Sequence, residues 1–200
     1  MQVSDRVRAA MAATPRAAHL PDSQRHLASL DMALPLFRGA TNSQPSTVAR
    51  MLDSLDVPIG GRVLDVGAGS GWTTALLAWL VGPTGSVLGL EIDGEVAAWG
   101  AERLGHTGRV WARLEVADPT VLGCPGEAPF DRILVSAMAS HLPEQLTAQL
   151  SDEGVLVIPV DGQLWTVRRS GSGLDVTRSG AYVFVPLIEP GDPTGAVREQ

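Results

Sequence analysis

Three glycines at alternate positions follow a short apolar stretch in RVLDVGAGSGW, residues 62–72. The apolar residues suit a buried strand, and Gly67, Gly69 and Gly71 allow unusual backbone torsions and the close approach of a ligand. A dinucleotide-binding turn would have its third glycine one residue later, where Trp72 stands. The spacing therefore favours a cofactor that carries no phosphate, such as S-adenosylmethionine, although an ordinary strand-to-helix turn is an alternative.

An acidic residue at the end of the next apolar stretch strengthens this interpretation. SVLGLEI, residues 86–92, predicts a strand that ends in Glu91, about 20 residues beyond the glycines, where a carboxylate can accept hydrogen bonds from ribose hydroxyls. A lone carboxylate at a strand end is usually just solvated, so the glycines and Glu91 together carry the prediction. Asp65, in the first strand, could hold the glycine loop through hydrogen bonds from its amides.

Length and composition indicate a single packed domain and restrict its partners. The chain has 200 residues, of which 44% are hydrophobic. A net charge of −7, with scattered arginines, argues against a nucleic-acid partner. The single cysteine, Cys124, excludes an internal disulfide framework. The apolar run 75–81 is too short for a membrane span and the start of the chain lacks a secretory signal, so we expect a cytoplasmic protein, monomeric by default. We expect no metal site, because no metal-ligand spacing links the four histidines, His19, His26, His106 and His141.

The pattern along the chain predicts a helical segment, a β/α core and a β-rich end. Within residues 1–60, a helix follows Ser4, an irregular stretch covers 15–45, and a second helix begins at Pro45. Residues 61–160 alternate strands and helices, which indicates a largely parallel sheet. The strands are predicted at 62–66, 86–91, 109–115, 131–136 and 155–160, and the helices at 71–81, 94–104 and 143–150. Three β-rich runs within 161–188 predict antiparallel strands, and 189–200 a disordered tail.

Four segments resemble the protein-L-isoaspartate O-methyltransferase family, a family of S-adenosylmethionine-dependent methyltransferases. They are TNSQPSTVARML at 41–52, VLDVGAGSGWTTALLAWLVGPTGSVLGLE at 63–91, APFDRILVSAMASHLPEQLTAQLSDEGVLVIPV at 128–160 and YVFVPL at 182–187. The second segment is shared by many methyltransferases, whereas the first and third are narrower. The family's N-terminal motif is echoed by AMAATPRAAHLP at 10–21.

The resemblance implies a Rossmann-like methyltransferase fold over residues 1–188: a doubly wound, mostly parallel seven-stranded sheet with antiparallel C-terminal strands and an N-terminal helical segment. It implies methyl transfer from S-adenosylmethionine to the carboxylate of L-isoaspartyl residues in proteins or peptides, giving an ester that leads to succinimide and repair. Ser43 is implied as an active-site hydroxyl with Thr41 beside it. Cofactor contacts are implied at Asp65, Gly67, Ala68, Gly69, Gly71, Glu91, Ile92, Ala117 and Asp118. The loop after residue 136 is predicted to contact substrate through Ala137, Met138 and His141.

Two stretches depart from the family pattern. FRGA at 37–40 replaces a glycine-rich run, and Pro119 follows Asp118 where the family has glycine, which removes a backbone donor. These departures leave two alternatives open. One is an aspartate methyltransferase that tailors a ribosomal peptide, and the other is a cofactor-binding regulatory module without turnover. For Ser43 itself, the alternative is a helix N-cap ahead of Pro45.

Overall fold

The computed structural model describes residues 3–171 and 173–191, so residues 192–200 of the predicted tail lie outside the described residues. Five α-helices are described within these ranges: α1 Asp5–Ala13, α2 Pro45–Leu55, α3 Trp72–Val81, α4 Gly94–Gly105 and α5 Glu144–Thr147. The strands are β1 Leu34–Pro35, β2 Thr41–Asn42, β3 Arg62–Val66, β4 Ser86–Glu91, β5 Ala112–Val116, β6 Phe130–Val135, β7 Leu150–Val160, β8 Gln163–Ser170 and β9 Gly173–Ser179.

The central sheet has seven strands in the order β5-β4-β3-β6-β7-β8-β9. Strands β5 to β7 are parallel, whereas β8 and β9 are antiparallel to their neighbours. The predicted fold class is therefore confirmed. The chain order reverses between β3 and β6, and ligands of such sheets bind beyond the carboxyl ends of the strands at that point.

The first sixty residues fold as predicted, with one addition. The hydroxyl of Ser4 accepts a hydrogen bond from Val7 N and caps α1. Short 3-10 helices at Arg16–His19 and Asp22–Leu27 occupy the irregular stretch. The added element is the antiparallel pair β1–β2, which brings the chain back toward the sheet just before α2.

Helices α2 and α3 supply one side of the core. The apolar stripe of α2 is buried, as its spacing predicts, in Val48, Met51, Leu52 and Leu55. Helix α3 is buried on nearly all sides, because the sheet, α1 and α4 all pack against it. Each leucine buried here contributes about 1.5 to 3 kcal/mol of transfer free energy. Helix α3 is therefore a rigid support for the glycine loop that precedes it.

Several predicted boundaries are wrong. The strand predicted at 109–115 begins only at Ala112, because Gly108 adopts a positive φ and the following residues form turns. The helix predicted at 143–150 ends at Thr147, because Leu150 already pairs with Phe130 in the sheet. For the same reason the strand predicted at 155–160 is β7, which starts five residues earlier.

The last predicted antiparallel strand, at 181–187, is also wrong. This segment forms an isolated parallel bridge instead, in which Met138 N donates to Val185 O and Leu187 N donates to Met138 O, both at 2.7 Å. Pro186 stands between these bonds and has no N–H for a continuous ladder. The segment therefore runs beside the loop after β6 and does not extend the sheet edge.

Candidate active site

The turn between β3 and α3 requires its glycines. Gly67, Gly69 and Gly71 have φ values of 76°, 50° and 71°, which residues other than glycine rarely adopt. The amides of Gly67 and Ala68 both donate to Leu90 O, at 2.8 and 3.0 Å. These bonds hold the turn against the end of β4 and leave its upper side open.

A cavity of about 1050 Å³, including its open mouth, lies over this turn. Several predicted site residues line the cavity together: Thr41, Ser43, Gly67, Ala68, Gly69, Glu91, Ile92, Ala117, Asp118 and Ala137. The loops after β3, β4, β5 and β6 thus converge with the segment before α2, as the switch-point rule predicts.

Glu91 is buried in the cavity wall and oriented by two backbone amides. Gly69 N donates to its Oε2 at 2.9 Å, and Asp93 N donates to its Oε1 at 3.1 Å. Each carboxylate oxygen can accept a second hydrogen bond. Glu91 can therefore accept hydrogen bonds from ribose hydroxyls while it stays fixed to the glycine turn.

Asp118 and Pro119 line the cavity beside the end of β5. Asp118 Oδ1 accepts hydrogen bonds from the amide and the hydroxyl of Thr120, at 2.8 and 2.6 Å. These bonds lower the pKa of Asp118 from its ordinary value, so this carboxylate is ionised at neutral pH. The loop keeps a defined turn although proline has removed one amide donor.

Asp65 lies beneath the turn and not in the cavity wall, and its predicted bonds to loop amides are wrong. Its Oδ2 accepts hydrogen bonds from the hydroxyls of Thr73 and Thr74, at 2.8 and 2.7 Å. Its Oδ1 is buried and has no hydrogen-bond partner within residues 3–171 and 173–191. Burial raises the pKa of Asp65 from 3.8 to about 6; the two threonine hydroxyls oppose this rise, and nearby Glu91 adds to it.

This raised pKa predicts a pH-dependent cost of folding. Between pH 3.8 and about 6, Asp65 is ionised in the unfolded chain but still protonated in the folded chain. The unfolding free energy therefore falls as pH rises through that window. The shift corresponds to roughly 3 kcal/mol. We expect the unfolding free energy of Asp65→Asn, minus that of the unsubstituted protein, to increase by roughly this amount between pH 4 and 7.5.

Urea unfolding across that pH range measures the difference. The cost of packing an amide at this position does not depend on pH, so it cancels when pH values are compared. The exposed carboxylate of Asp152 provides the control, as Asp152→Asn removes one charge without burial. A difference for Asp65→Asn that stays constant with pH contradicts the prediction.

The structure places Gly71 outside the cavity lining, where it meets α4 instead. A Cβ on Gly71 would lie 2.7 Å from the carbonyl oxygen of Gly100. Gly71 also begins α3 with a left-handed conformation. The structure thus assigns Gly71 to close packing between the turn and α4, and not to direct cofactor contact.

Met138 and His141, predicted to contact substrate, also lie outside the lining. The backbone of Met138 bonds to the 185–187 segment, and its sulfur accepts a hydrogen bond from Gly162 N at 3.3 Å. The His141 side chain is 67% exposed and lies 3.8 Å from the Glu189 carboxylate. Of the three predicted substrate residues, Ala137 is the one at the cavity.

A buried polar network centred on Arg16 holds the backbone of Ser43 in place beside the cavity. The guanidinium of Arg16 donates to Asn42 Oδ1 at 2.6 Å and to the carbonyl oxygens of Asn42 and Ser43, both at 3.0 Å. Asn42 Nδ2 in turn donates to Ser70 Oγ in the glycine loop at 2.9 Å. The network therefore fixes the Ser43 backbone relative to the cofactor side of the cavity.

The alternative interpretation of Ser43 as the cap of α2 is wrong. Gln44 is the N-cap residue and its side chain makes no capping bond. The carboxylate of Asp31 supplies that bond, because its Oδ1 accepts from Ser46 N at 2.9 Å. The Ser43 side chain is thus not used for capping, and Ser43 is one of the residues that line the cavity.

Sequence reasoning missed some parts of the wall. Trp72 is buried, with its indole N–H donating to Thr14 O at 3.0 Å, and it also lines the cavity. Asn42 and Ser70 stand inside the recognised motifs, so their polar side chains were a usable signal. Another wall comes from the C-terminal segment, at Val185, Pro186, Leu187, Ile188 and Pro190.

Comparison with known proteins identifies the family of this chain. Residues 1–191 match the family model described as protein-L-isoaspartate(D-aspartate) O-methyltransferase. The chain belongs to the protein-L-isoaspartate O-methyltransferase family. A protein-L-isoaspartate O-methyltransferase of Methanopyrus kandleri is 42% identical over 191 residues, which cover 92% of this chain and 84% of the relative. The predicted family is thus confirmed.

Two solved structures are similar to this fold. A protein-L-isoaspartate O-methyltransferase has a TM-score of 0.81 at 23% identity, covering 92% of this chain and 62% of that chain. A Plasmodium falciparum protein described as a member of the same family has a TM-score of 0.80 at 25% identity, covering 92% and 90%. The latter was crystallised with S-adenosyl-L-homocysteine.

Residues 3–171 and 173–191 contain neither a candidate metal-binding group nor a membrane-spanning helix. In these ranges, no three or more histidine, cysteine, aspartate or glutamate side chains form a group that could hold a metal ion. None of the helices in the same ranges has the length and apolar character needed to cross a membrane.

Proposed function

We propose that this protein transfers the methyl group of S-adenosylmethionine to the side-chain carboxylate of L-isoaspartyl residues in proteins or peptides. Family membership supports the reaction. In this structure, the main support for the reaction is that the Ser43 segment and the glycine turn form two walls of one cavity. The Arg16–Asn42–Ser70 network connects these two walls. One wall suits the cofactor and the other the acceptor.

The cofactor fits the residues on its wall. The glycine turn leaves room for close approach, Glu91 can accept hydrogen bonds from ribose hydroxyls, and the loop with Ala117 and Asp118 lies where the adenine is expected. When bound, S-adenosylmethionine supplies an electrophilic methyl group on a sulfonium. The residues that would hold the cofactor share one cavity with the segment 41–43, which would present the acceptor to that methyl group.

The acceptor needs orientation more than activation. A carboxylate has a reference pKa near 4 and is already ionised at neutral pH, so no strong general base is required. Holding nucleophile and methyl group in line can lower the barrier by roughly 7 to 11 kcal/mol. We assign the Ser43 hydroxyl to orient the carboxylate by a hydrogen bond, with Thr41 and Ala137 lining the same cavity.

Methylation prepares the isoaspartyl residue for repair. In the ester, methoxide is a better leaving group than the oxide dianion that the unmethylated carboxylate would have to expel. The backbone nitrogen of the following residue attacks the ester carbonyl and methanol leaves, which gives a succinimide. Water then opens the succinimide ring and returns part of the product as normal aspartate.

Incubation with a linear isoaspartyl peptide and methyl-labelled cofactor tests the proposal. We expect transferred label that is released as methanol at alkaline pH, because the product is an ester. The same peptide with normal aspartate is the matched control and should stay unlabelled. Label stable to alkali contradicts an ester product.

Two further outcomes would replace the proposal. Labelling of normal aspartate in a macrocyclic peptide, without labelling of the isoaspartyl peptide, identifies a peptide-tailoring enzyme. Tight cofactor binding by calorimetry without transfer to either peptide identifies a regulatory module.

Other features stay predictions. These are the monomeric state, the absence of a nucleic-acid partner, the cytoplasmic location, and the division at residues 60, 160 and 188.

A further inference from the structure

The stretch 37–40, which departs from the family pattern, forms a tight loop with Leu36 beside the cavity. Leu36 N donates to Ala40 O at 2.9 Å, and Ala40 N donates to Phe37 O at 3.1 Å. Ala40 lines the cavity. A Cβ on Gly69 would lie 4.0 Å from Leu36 Cδ1, so the loop lies directly over the glycine turn.

Charged contacts bind this loop to the start of α4. Arg38 has a φ of 53°, which is unusual for a residue with a side chain. Its Nε donates to Asp93 Oδ2 at 2.5 Å, and Nη1 lies 3.6 Å from Glu95 Oε1. The Arg38 and Asp93 side chains are only 29% and 16% exposed, so solvent screens this pair less than a surface pair.

An aromatic contact supports the same docking. The ring of Phe37 meets the ring of Trp99 on α4 edge-on, with centroids 5.6 Å apart and planes at 88°. Loop and helix are thus in contact over the first two turns of α4.

Asp93 connects this docking to the cofactor wall. Its backbone N–H donates to Glu91 Oε1, and its Oδ1 accepts from the amides of Glu95 and Val96. Burial acts to raise the pKa of Asp93, but hydrogen bonds from Arg38 and these amides lower it overall, so Asp93 is an anion at neutral pH. An unbroken series of bonds therefore runs from Arg38 through Asp93 and Glu91 to Gly69.

We propose that Arg38 and Asp93 are positioning residues that hold the 36–40 loop over the bound cofactor, and thereby set the rate at which cofactor and its demethylated product leave. The inference rests on the proposed function for the identity of the ligand. Loss of the ion pair frees the loop, so the ligand leaves faster, whereas the bond from Asp93 N to Glu91 remains. Salt weakens the pair, so in the unsubstituted protein release accelerates with ionic strength.

Stopped-flow measurement of S-adenosylhomocysteine release tests this inference. This ligand lacks the sulfonium charge, so a change of protein charge acts on it mainly through the loop. We expect Arg38→Ala and Asp93→Asn each to release it about threefold to tenfold faster at low salt. Asparagine keeps the helix cap, because it is a good N-cap residue, and Arg38→Lys should restore part of the slow release.

The salt response separates positioning from a general structural effect. Between ~0.05 and ~0.5 M salt, a range that spans weak to strong screening, release from the unsubstituted protein should accelerate while release from the two variants stays nearly constant. Arg8→Ala is the control, because Arg8 pairs with Asp5 on α1 away from the cavity, and it should behave like the unsubstituted protein.

The outcomes are distinguishable from failure of the proposed function. If the variants bind and release the ligand at the same rates as the unsubstituted protein, the inference fails but the proposed function is unaffected. Faster release with an unchanged salt response also overturns it. An unsubstituted protein that binds neither S-adenosylmethionine nor S-adenosylhomocysteine overturns the proposed function and this inference with it.

Discussion

Replacing Gly100 by alanine should abolish useful cofactor binding, with affinity reduced about a hundredfold or more. Gly100 lies in α4, outside the cavity lining, yet a Cβ there would be 2.3 Å from the carbonyl oxygen of Gly69 and 3.2 Å from Gly71 N. Both neighbours are backbone atoms, so the glycine turn itself must shift. We also expect the unfolding free energy to fall by about 1 to 3 kcal/mol, the usual cost of overpacking.

The sign of this effect is informative. Helix propensity alone makes alanine about 1 kcal/mol more favourable than glycine in a helix interior, so only the contact with the turn can make the change harmful. Gly105→Ala in the same helix is the control, because a Cβ there meets nothing within 4 Å. Calorimetric titration with cofactor and urea unfolding measure both variants, and normal cofactor binding by Gly100→Ala would show that the turn tolerates displacement.

Replacing Ser43 by alanine should reduce kcat about tenfold to a hundredfold. A hydrogen bond to a charged group contributes about 1.5 to 3 kcal/mol, and each 1.36 kcal/mol of barrier corresponds to about a tenfold change in rate. Cofactor affinity should change less than about twofold, because the Arg16 contact uses the backbone carbonyl of Ser43 and remains in the variant.

Steady-state kinetics with an isoaspartyl peptide, beside cofactor titration, measures this effect. Ser170→Ala, on the exposed face of β8, is the control for loss of a serine hydroxyl. Turnover by Ser43→Ala equal to that of the control contradicts the role assigned to Ser43. A fall in cofactor affinity as large as the fall in kcat would instead place the hydroxyl on the cofactor wall.

Local patterns in the sequence predicted the supports of the site well. The glycine turn, β4 ending in Glu91 and the buried stripe of α2 each depend on residues close together in the chain. Spacing of two or of 3.6 residues reports such elements directly. The convergence of strand ends then follows from the topology of a parallel sheet.

The remaining parts of the site depend on contacts between distant residues. Arg16 and Asn42 are 26 positions apart, and nothing in either neighbourhood identifies its partner. In the sequence, Gly100 is only a residue of low helix propensity. A glycine is required at this position because the glycine turn packs against it, and that contact appears only in the structure. Asp31 caps α2 from 15 positions before Ser46, so a search for adjacent capping residues selects Ser43 instead.

The cavity takes its lining from distant parts of the chain, including residues 40–43 and 185–190. During synthesis the glycine turn after β3 is therefore made long before the residues that complete the cavity. Ligand stabilisation acts only on a state that binds the ligand. A ligand that needs the complete cavity therefore cannot stabilise the sheet until residues 185–190 have been made.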